Sequence, residues 1–194
     1  MATSDDERAA YLDRILVGGR ERRPVVIADA DPAWPARFEE HRAHIAGALG
    51  PLALRIEHIG STSVPGLAAK PIVDVLVAVD DVTSVDAPAV RDRLARAGYE
   101  LRVEEPGHRM FRTAAHDVHL HVWPAVGDDV RRHLLFRDHL RASAPDRARY
   151  EEVKRGLATR DWDDMNDYAE AKSPVIAEIN ARAEAWARDT GWTP

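Results

Sequence analysis

Residues 55–79 of the chain read RIEHIGSTSVPGLAAKPIVDVLVAV, and this stretch decides the fold. The mixture of apolar and polar residues over 54–59 predicts a first strand, and the glycine and hydroxyl residues after it predict a turn. Lys70 precedes Pro71, which biases the Lys70 backbone towards an extended conformation. The β-branched run over residues 72–77 is typical of a second, buried strand. The segment therefore predicts two strands joined by a polar turn and a short connector.

Asp74 is the one carboxylate within the apolar second strand. An ionised carboxylate is costly to bury unless it is paired, hydrogen-bonded or bound to a metal ion. The preceding turn contains Gly60 and the hydroxyl groups of Ser61, Thr62 and Ser63, with backbone N–H groups beside them. Such a turn can hold a phosphate, and it can equally cap a helix. Both interpretations of the turn stay open on spacing alone.

A second polar pattern lies in DVHLHVW, residues 117–123. His119 and His121 are two residues apart, which places both imidazoles on one face of a strand. Two such histidines are a common metal-ligand arrangement, and imidazole suits Zn²⁺, Mn²⁺ or Fe²⁺ better than Mg²⁺. The pair therefore predicts a metal centre, a phosphate-binding polar cluster without metal, or a structural hydrogen-bond network.

Several cationic residues are candidates for binding phosphate. Arg109 and Arg112 belong to a segment that reads as an exposed strand, where an anion can reach them. Two helical segments then repeat a Tyr-x-x-x-Lys spacing, which ends at Lys154 in the first and at Lys172 in the second. A single Tyr-Lys pair of this kind is usually a surface pair of little weight.

Composition restricts the class of protein. The 194 residues suit one domain with a sizeable core, and the absence of cysteine excludes disulfide and thiolate chemistry. A formal net charge of −6 argues against broad nucleic-acid binding, which needs a basic face. The chain starts without an export signal and has no apolar run long enough to cross a membrane. We expect a cytoplasmic protein without membrane contact, whose ligand is a small anion rather than a polymer.

Periodicity and capping residues predict the elements before the central segment. Ser4 is the expected cap of a helix that continues to Val17, and the basic residues 20–23 read as a solvated linker. A short strand over residues 25–27 and a helix over residues 31–49 follow.

The elements as a whole predict an α+β fold. We expect an N-terminal helical extension and linker over residues 1–23 and an α/β core over residues 24–127. A helical part over residues 128–194 is expected to pack on the same domain, with an interruption at Ser173-Pro174.

The stretch from Glu57 to Asp74 closely resembles the signature of the GrpB family, a group of bacterial proteins placed in the nucleotidyltransferase superfamily. The resemblance covers residues 24–182, and shorter matches lie at DPAWP (31–35), HLHV (119–122), HLLFRD (133–138) and YAEAKS (168–173). Members also occur fused to dephospho-CoA kinase. The chain contains no P-loop of the GxxxxGK[ST] type, so kinase activity is not expected.

The resemblance implies a nucleotidyltransferase-like mixed β-sheet flanked by helices. Active members of the superfamily usually carry two carboxylates, one residue apart, that hold Mg²⁺ against a triphosphate. Here the pair would be Asp74 and position 76, which is Leu76. The superfamily's metal site is therefore incomplete at its second ligand, and ordinary two-metal nucleotidyl transfer is in doubt.

The resemblance also implies roles for individual residues. In the superfamily a third carboxylate often lies on the strand next to the one that carries the first pair, and His119 or His121 would take its place. The resemblance thus implies that Glu57, Asp74, His119 and His121 converge on one site. Asp74, Glu57 and His121 are the expected catalytic residues, and His119 joins them as an expected ligand of a divalent metal, Mg²⁺ or Mn²⁺, with Zn²⁺ as a further option. Phosphate or substrate would contact a larger set, namely Gly60, Ser61, Thr62, Ser63, Lys70, Arg109, Arg112, Lys154, Tyr168 and Lys172.

The leading functional hypothesis is a protein that binds a nucleotide or another phosphorylated small molecule. It would transfer a nucleotidyl group to a small acceptor with the help of a divalent metal. Two alternatives stay open. The first is a non-catalytic binding protein for a nucleotide or a CoA-related ligand, and the second is a metal enzyme of another reaction type built on His119 and His121.

Overall fold

The computed structural model describes residues 5–194, and of Asp5 only the backbone. The helices are α1 (Asp5–Ile15), α2 (Trp34–Leu49), α3 (Pro88–Arg96), α4 (Asp128–Ala142), α5 (Ala144–Ala158), α6 (Met165–Glu170) and α7 (Ser173–Thr190). The strands are β1 (Arg55–Ile59), β2 (Val73–Val79), β3 (Tyr99–Glu105), β4 (His108–Thr113) and β5 (Val118–Pro124). Short 3₁₀ turns span Gly50–Leu52, Ser61–Ser63 and Val82–Asp86.

The five strands form one mixed sheet in the order β1-β2-β5-β4-β3. β2 and β5 are parallel, whereas β1 pairs with β2, β5 with β4, and β4 with β3 in antiparallel fashion. The parallel pair lies inside the sheet, and the long connection between its strands contains α3 and the β3–β4 hairpin. The predicted α+β class, a mixed sheet flanked by helices with a helical C-terminal part, is confirmed.

Alternation along β2 and β5 divides the sheet into two faces. One face is apolar and packs against α2 and α3 to form the main core, where Trp34, Phe38 and Ile45 of α2 are buried, as is Leu94 of α3. The strand residues of that face are Val73, Val75, Val77, Val79, Val118, Leu120 and Val122. The opposite face therefore presents the residues between them, which include Asp74, His119 and His121.

The C-terminal helices cover part of this second face. Leu76 of β2 and Trp123 of β5 pack with Val130 and Leu134 of α4. A neighbouring cluster joins Leu140, Tyr150, Val175 and Ile179 of the last helices to Val64 and Leu67 of the chain after the turn. The helices thus cover the second face around Leu76 and Trp123 and leave a cavity beside it, above the first residues of β2 and β5.

Two predictions about the N-terminal region need correction. Residues 25–27 do not form a strand; the chain makes only an isolated bridge at the next residue, between Ala28 and Ala69. The linker 20–23 is not merely solvated, because the Glu21 carbonyl accepts a hydrogen bond from the Met165 backbone (3.0 Å) at the start of α6.

Two other predictions concern Ser4 and the C-terminal helices. Ser4, the expected cap of the first helix, lies outside the described residues. The helix predicted through this region is interrupted, but at residues 171–172 rather than at Ser173-Pro174, which form the first turn of α7. None of the helices in residues 5–194 is long and apolar enough to cross a lipid bilayer.

Candidate functional site

The centre of the second face is a cluster of one carboxylate and two imidazoles. In the parallel pairing of β2 with β5, Asp74 lies opposite His119 and Leu76 lies opposite His121. His119 Nδ1 is 3.4 Å and His121 Nε2 is 3.7 Å from Asp74 Oδ1. One ligand atom from each of the three residues lies within 4.8 Å of the other two. The predicted convergence of these three residues is therefore present in the structure.

The cluster is suited to a divalent cation. Burial alone would raise the pKa of Asp74, but the contact with the His119 imidazole is the largest of the causes that hold the pKa well below its usual range. The carboxylate is thus ionised at neutral pH and supplies one oxygen donor beside two nitrogen donors. Two imidazoles with one carboxylate fit Zn²⁺, Mn²⁺ or Fe²⁺, whereas Mg²⁺ prefers oxygen ligands.

The turn before the connector passes directly against Asp74. Gly60 has φ +69°, and a Cβ at this position would overlap Asp74 Oδ2. Glycine is required here on both counts, for its left-handed backbone and for the space beside the carboxylate. Of the turn's three hydroxyl residues, Ser61 lines the cavity.

The other two hydroxyls of the turn are not available to a ligand. Thr62 Oγ1 donates to the carbonyl oxygen of Ile72 (3.0 Å), and Ser63 Oγ donates to the carbonyl oxygen of Gly60 (2.6 Å). Both side chains are buried. Their assignment as phosphate-binding residues is wrong, because they hold the turn together from inside.

Glu57 does not join the cluster. It lies on the same face of the sheet but opposite Leu76 rather than Asp74. Arg137 of α4 (2.8 Å) and Arg55 (2.9 Å) each donate a hydrogen bond to its carboxylate. Burial raises its pKa, but these two arginines outweigh burial and lower it. The expected catalytic and metal-ligating role of Glu57 is replaced by an ion pair that ties α4 to the edge of the sheet.

Three lysines face the same cavity as the cluster: Lys70, Lys154 and Lys172. The sequence contains no other lysine, and the rest of its 27 basic residues are arginines. Lys172 Nζ and Lys70 Nζ lie 4.9 Å and 5.6 Å from the ring centre of Tyr168. Lys154 Nζ lies 4.7 Å from the ring centre of Tyr150 and donates to the carbonyl oxygen of Ala68.

Burial and mutual repulsion act together on the three lysines. Among the side chains that the structure describes, no carboxylate lies within 4.0 Å of any of the three ammonium groups. Burial is the main cause that lowers the pKa of Lys154 to about 7, and the charge of Lys172 is the next. Burial also lowers the pKa of Lys172 to about 8, and there the charge of Lys70 is the next cause. Burial lowers the pKa of Lys70 as well. An anion placed among them would relieve this repulsion.

The two arginines of β4 lie on opposite faces of the sheet. Arg112 pairs with His119 and lines the cavity, whereas Arg109 pairs with Val122 on the core side. β4 lies between β3 and β5 and is not an exposed strand. Arg109 is buried and donates to Asp86 (3.0 and 2.7 Å), so its assignment as an anion-binding residue is wrong.

Arg112 reaches the cavity but already has a partner. Its guanidinium donates two hydrogen bonds to Glu21 (2.8 and 2.5 Å), and this contact lowers the pKa of Glu21 to about 2. Glu21 belongs to the linker after α1, so the pair fastens that linker across the cavity.

Two histidines of the site were missed by the sequence reasoning. His108 Nε2 lies 3.1 Å from His121 Nδ1, and His133 of α4 lines the cavity with its ring stacked on Trp123 (4.6 Å between ring centres). Burial lowers the pKa of His133 to about 3, so it is a neutral imidazole. Their contacts depend on the register of β4 and the position of α4, for which no local pattern exists.

The cavity that joins these groups has a volume of about 830 Å³. It is large enough for a nucleotide-sized ligand. Its wall contains the cluster, the three lysines, Ser61, Tyr168, Arg112 and His133, together with apolar residues such as Ile72, Met110 and Met165.

A model of the GrpB protein family matches residues 24–182. The chain belongs to the GrpB family. A UPF0157 protein of Streptomyces coelicolor is 54% identical to this GrpB-family chain over 170 residues, which is 88% of this chain and 90% of that protein. The crystal structure of the conserved protein GrpB from Enterococcus faecalis is similar, with a TM-score of 0.74 and 33% identity, over 83% of this chain and 99% of that one.

A dephospho-CoA kinase of Mycolicibacterium paratuberculosis is also similar to this GrpB-family chain. It is 31% identical over 206 residues, which cover 89% of this chain but 49% of the kinase. The similarity therefore involves about half of that longer protein, and the kinase activity in its name belongs to that protein.

A substitution at Leu76 tests whether this GrpB-family site can hold a second carboxylate. Its side chain is fully buried among Ile59, Trp123 and Leu134. We expect Leu76→Asp to lower the free energy of unfolding by at least about 3 kcal/mol, because the carboxylate would enter an apolar cluster. Urea unfolding measures the effect.

The matched control is Leu76→Met, which conserves volume and should cost less than about 1.5 kcal/mol. An aspartate variant as stable as the unmodified protein, with increased affinity for a divalent metal, would contradict the packing described above.

Proposed function

We propose that this GrpB-family protein binds a nucleotide or a closely related phosphorylated small molecule together with a divalent metal ion. The observation that carries the proposal is that all three lysines of the chain share one cavity with the Asp74–His119–His121 cluster. A polyphosphate is the ligand class that complements both features, because its oxygens can ligate a metal ion and accept hydrogen bonds from ammonium groups.

The phosphates would lie between the metal and the lysines. Asp74, His119 and His121 would hold the metal, which, when bound, stabilises negative charge on phosphoryl oxygens. Lys70, Lys154 and Lys172 would bind the phosphates from the other side, and Ser61 would donate its hydroxyl. Tyr168 positions two of these ammonium groups through its ring.

The proposed reaction is nucleotidyl transfer to a small acceptor. The hydroxyl oxygen or the amine nitrogen of the acceptor would form a bond to the α-phosphorus. The bond between that phosphorus and the bridging oxygen would break at the same time. Pyrophosphate would leave, and the acceptor's proton would pass to a neutral imidazole of the site. His133 is a neutral imidazole in the cavity wall and is a candidate for that proton.

The absence of a second carboxylate favours a competing function for the same site. Leu76 occupies that position and packs into the core, so the strand supplies Asp74 as its single carboxylate ligand. A protein with the same ligand and no turnover, a nucleotide-binding regulator, would need nothing more than this site. Binding and turnover must therefore be measured separately.

Calorimetric titration of the metal-stripped protein with ATP, GTP, CTP and UTP, each with and without Mn²⁺, tests the proposal. We expect at least one nucleotide to bind more tightly with Mn²⁺, and Asp74→Asn to abolish that metal-dependent gain. Lys172→Met should weaken binding about 10- to 100-fold with or without the metal, because an ammonium–phosphate contact is lost.

Two variants control for charge alone. Asp80→Asn removes an exposed carboxylate just beyond the end of β2, and Arg132→Met removes an exposed cation from α4. Neither should change binding. Release of pyrophosphate on addition of small hydroxyl or amine acceptors would identify transfer, whereas tight binding without release would identify the regulator. Failure of every nucleotide to bind would contradict the proposal.

Affinity for the nucleotide should depend on pH through the buried lysines. The pKa values of Lys154 and Lys172 are lowered to about 7 and about 8, so both lose their charge as the pH rises through this range. A bound polyphosphate favours the protonated forms. We expect affinity to fall between pH 7.5 and 9.5, by up to about tenfold per pH unit for each proton taken up.

Calorimetry in buffers of different ionisation enthalpy measures the proton uptake directly. The double variant Lys154→Met/Lys172→Met should bind weakly with a nearly flat pH profile. A profile that rises with pH in the unmodified protein would contradict the role of these lysines.

A further inference from the structure

A chain of hydrogen bonds leads from the protein surface to the back of His121. Tyr11 of α1 donates its hydroxyl to one carboxylate oxygen of Glu105. The other oxygen of Glu105 lies 2.7 Å from His108 Nδ1, and His108 Nε2 lies 3.1 Å from His121 Nδ1. The opposite nitrogen of His121, Nε2, faces Asp74 Oδ1 at 3.7 Å.

The chemistry of the groups fixes the direction of these bonds. A carboxylate such as that of Glu105 only accepts, so His108 Nδ1 must be the donor. At neutral pH an imidazole is mostly uncharged and has a single N–H, which His108 uses at Nδ1. His108 Nε2 is then an acceptor, and His121 Nδ1 must donate to it. His121 Nε2 is left with a free lone pair that points at Asp74.

Ring packing holds the same arrangement. The planes of His108 and His121 differ by 9°, with 5.3 Å between ring centres, so the N–H···N bond lies close to the common plane of the two imidazoles. Trp123 lies nearly parallel to both rings, at 4.7 Å from His108 and 5.0 Å from His121. A rotated His121 would lose the hydrogen bond and the parallel contact together.

His119 provides an internal comparison. Its Nδ1 faces Asp74, and among the side chains described by the structure none bonds to its other nitrogen. The chain of hydrogen bonds therefore acts on one imidazole of the cluster and not on the other.

We propose that His108 and Glu105 are positioning residues that hold His121 in the Nδ1–H tautomer and so present its Nε2 lone pair to a metal ion in the cluster. Hydrogen bonds of this kind orient metal-ligating histidines and raise their basicity. The assignment of the cluster to a metal rests on the proposed function, whereas the tautomer is a property of the metal-free protein. The two parts can therefore fail separately.

Nitrogen-15 NMR of the histidine side chains in metal-free protein at neutral pH tests the tautomer. We expect His121 to carry its proton on Nδ1 in the unmodified protein. In His108→Phe, which keeps an aromatic ring on Trp123, we expect a mixture with the Nε2–H form. Zn²⁺ affinity, measured by competition with a chelator, should fall about 10- to 100-fold in that variant.

Glu105→Leu tests the same chain without altering any ring, and carries the test if His108→Phe does not fold. It should produce the same mixture of His121 tautomers and a smaller loss of Zn²⁺ affinity. His44→Phe is the matched control, because it replaces an exposed imidazole on α2, whose buried residues pack against the opposite face of the sheet, and it should change neither quantity.

Each outcome decides one part of the proposal. An Nε2–H form of His121 in the unmodified protein would overturn it, as would unchanged tautomer and Zn²⁺ affinity in the folded variants. An unmodified protein that binds no Zn²⁺, Mn²⁺ or other divalent metal would contradict the metal assignment in the proposed function. The NMR spectra would still show whether His108 and Glu105 set the tautomer.

Discussion

The parallel pairing of β2 with β5 is the constraint on which the site depends. The register places Asp74 opposite His119 and Leu76 opposite His121, so a carboxylate and two imidazoles meet although His119 comes 45 positions after Asp74 in the chain. A shift of this register by one residue would turn both histidines into the apolar core, because successive strand residues face opposite sides. The valines of both strands that pack on α2 and α3 therefore hold the polar cluster in place from beneath.

The cavity also differs from the rest of the surface in the type of its cationic residues. The surface cations of this chain are arginines, most of them paired with nearby carboxylates, whereas the three lysines face the cavity and no carboxylate in the described part of the chain lies within ion-pair distance of them. Lysine responds more strongly than arginine to burial, which is why its pKa falls here into the range where a proton can be gained on binding. The cavity is a positive, half-buried space next to a metal-ligand cluster, and a polyphosphate complements both.

Much of this arrangement could be predicted from local pattern. The period of two placed His119 and His121 on one face, and the single carboxylate in an apolar strand identified Asp74. The lysines were found through the family resemblance rather than through spacing, although their number was itself a signal, since three lysines among 27 basic residues is an unusual usage.

Most errors came from contacts made across long stretches of chain, and one came from hydrogen bonds inside the turn. Glu57 was assigned to the cluster because the local pattern does not reveal Arg137, which lies 80 residues later and takes its carboxylate. Arg109 was assigned to an anion because the position of β4 inside the sheet is a property of topology. Thr62 and Ser63 were assigned to a phosphate because local spacing does not distinguish an open turn from one closed by its own hydroxyls. His108 was missed because its contact with His121 depends on how β4 pairs with β5.

The most direct measurement is a crystal structure of the protein with Mn²⁺ and a non-hydrolysable nucleoside triphosphate, with anomalous scattering recorded at the manganese absorption edge. The account predicts an anomalous peak bounded by Asp74, His119 and His121, with the phosphate chain extending from it towards Lys172. Manganese bound away from that cluster, or phosphates bound outside the lysine-lined cavity, would contradict it.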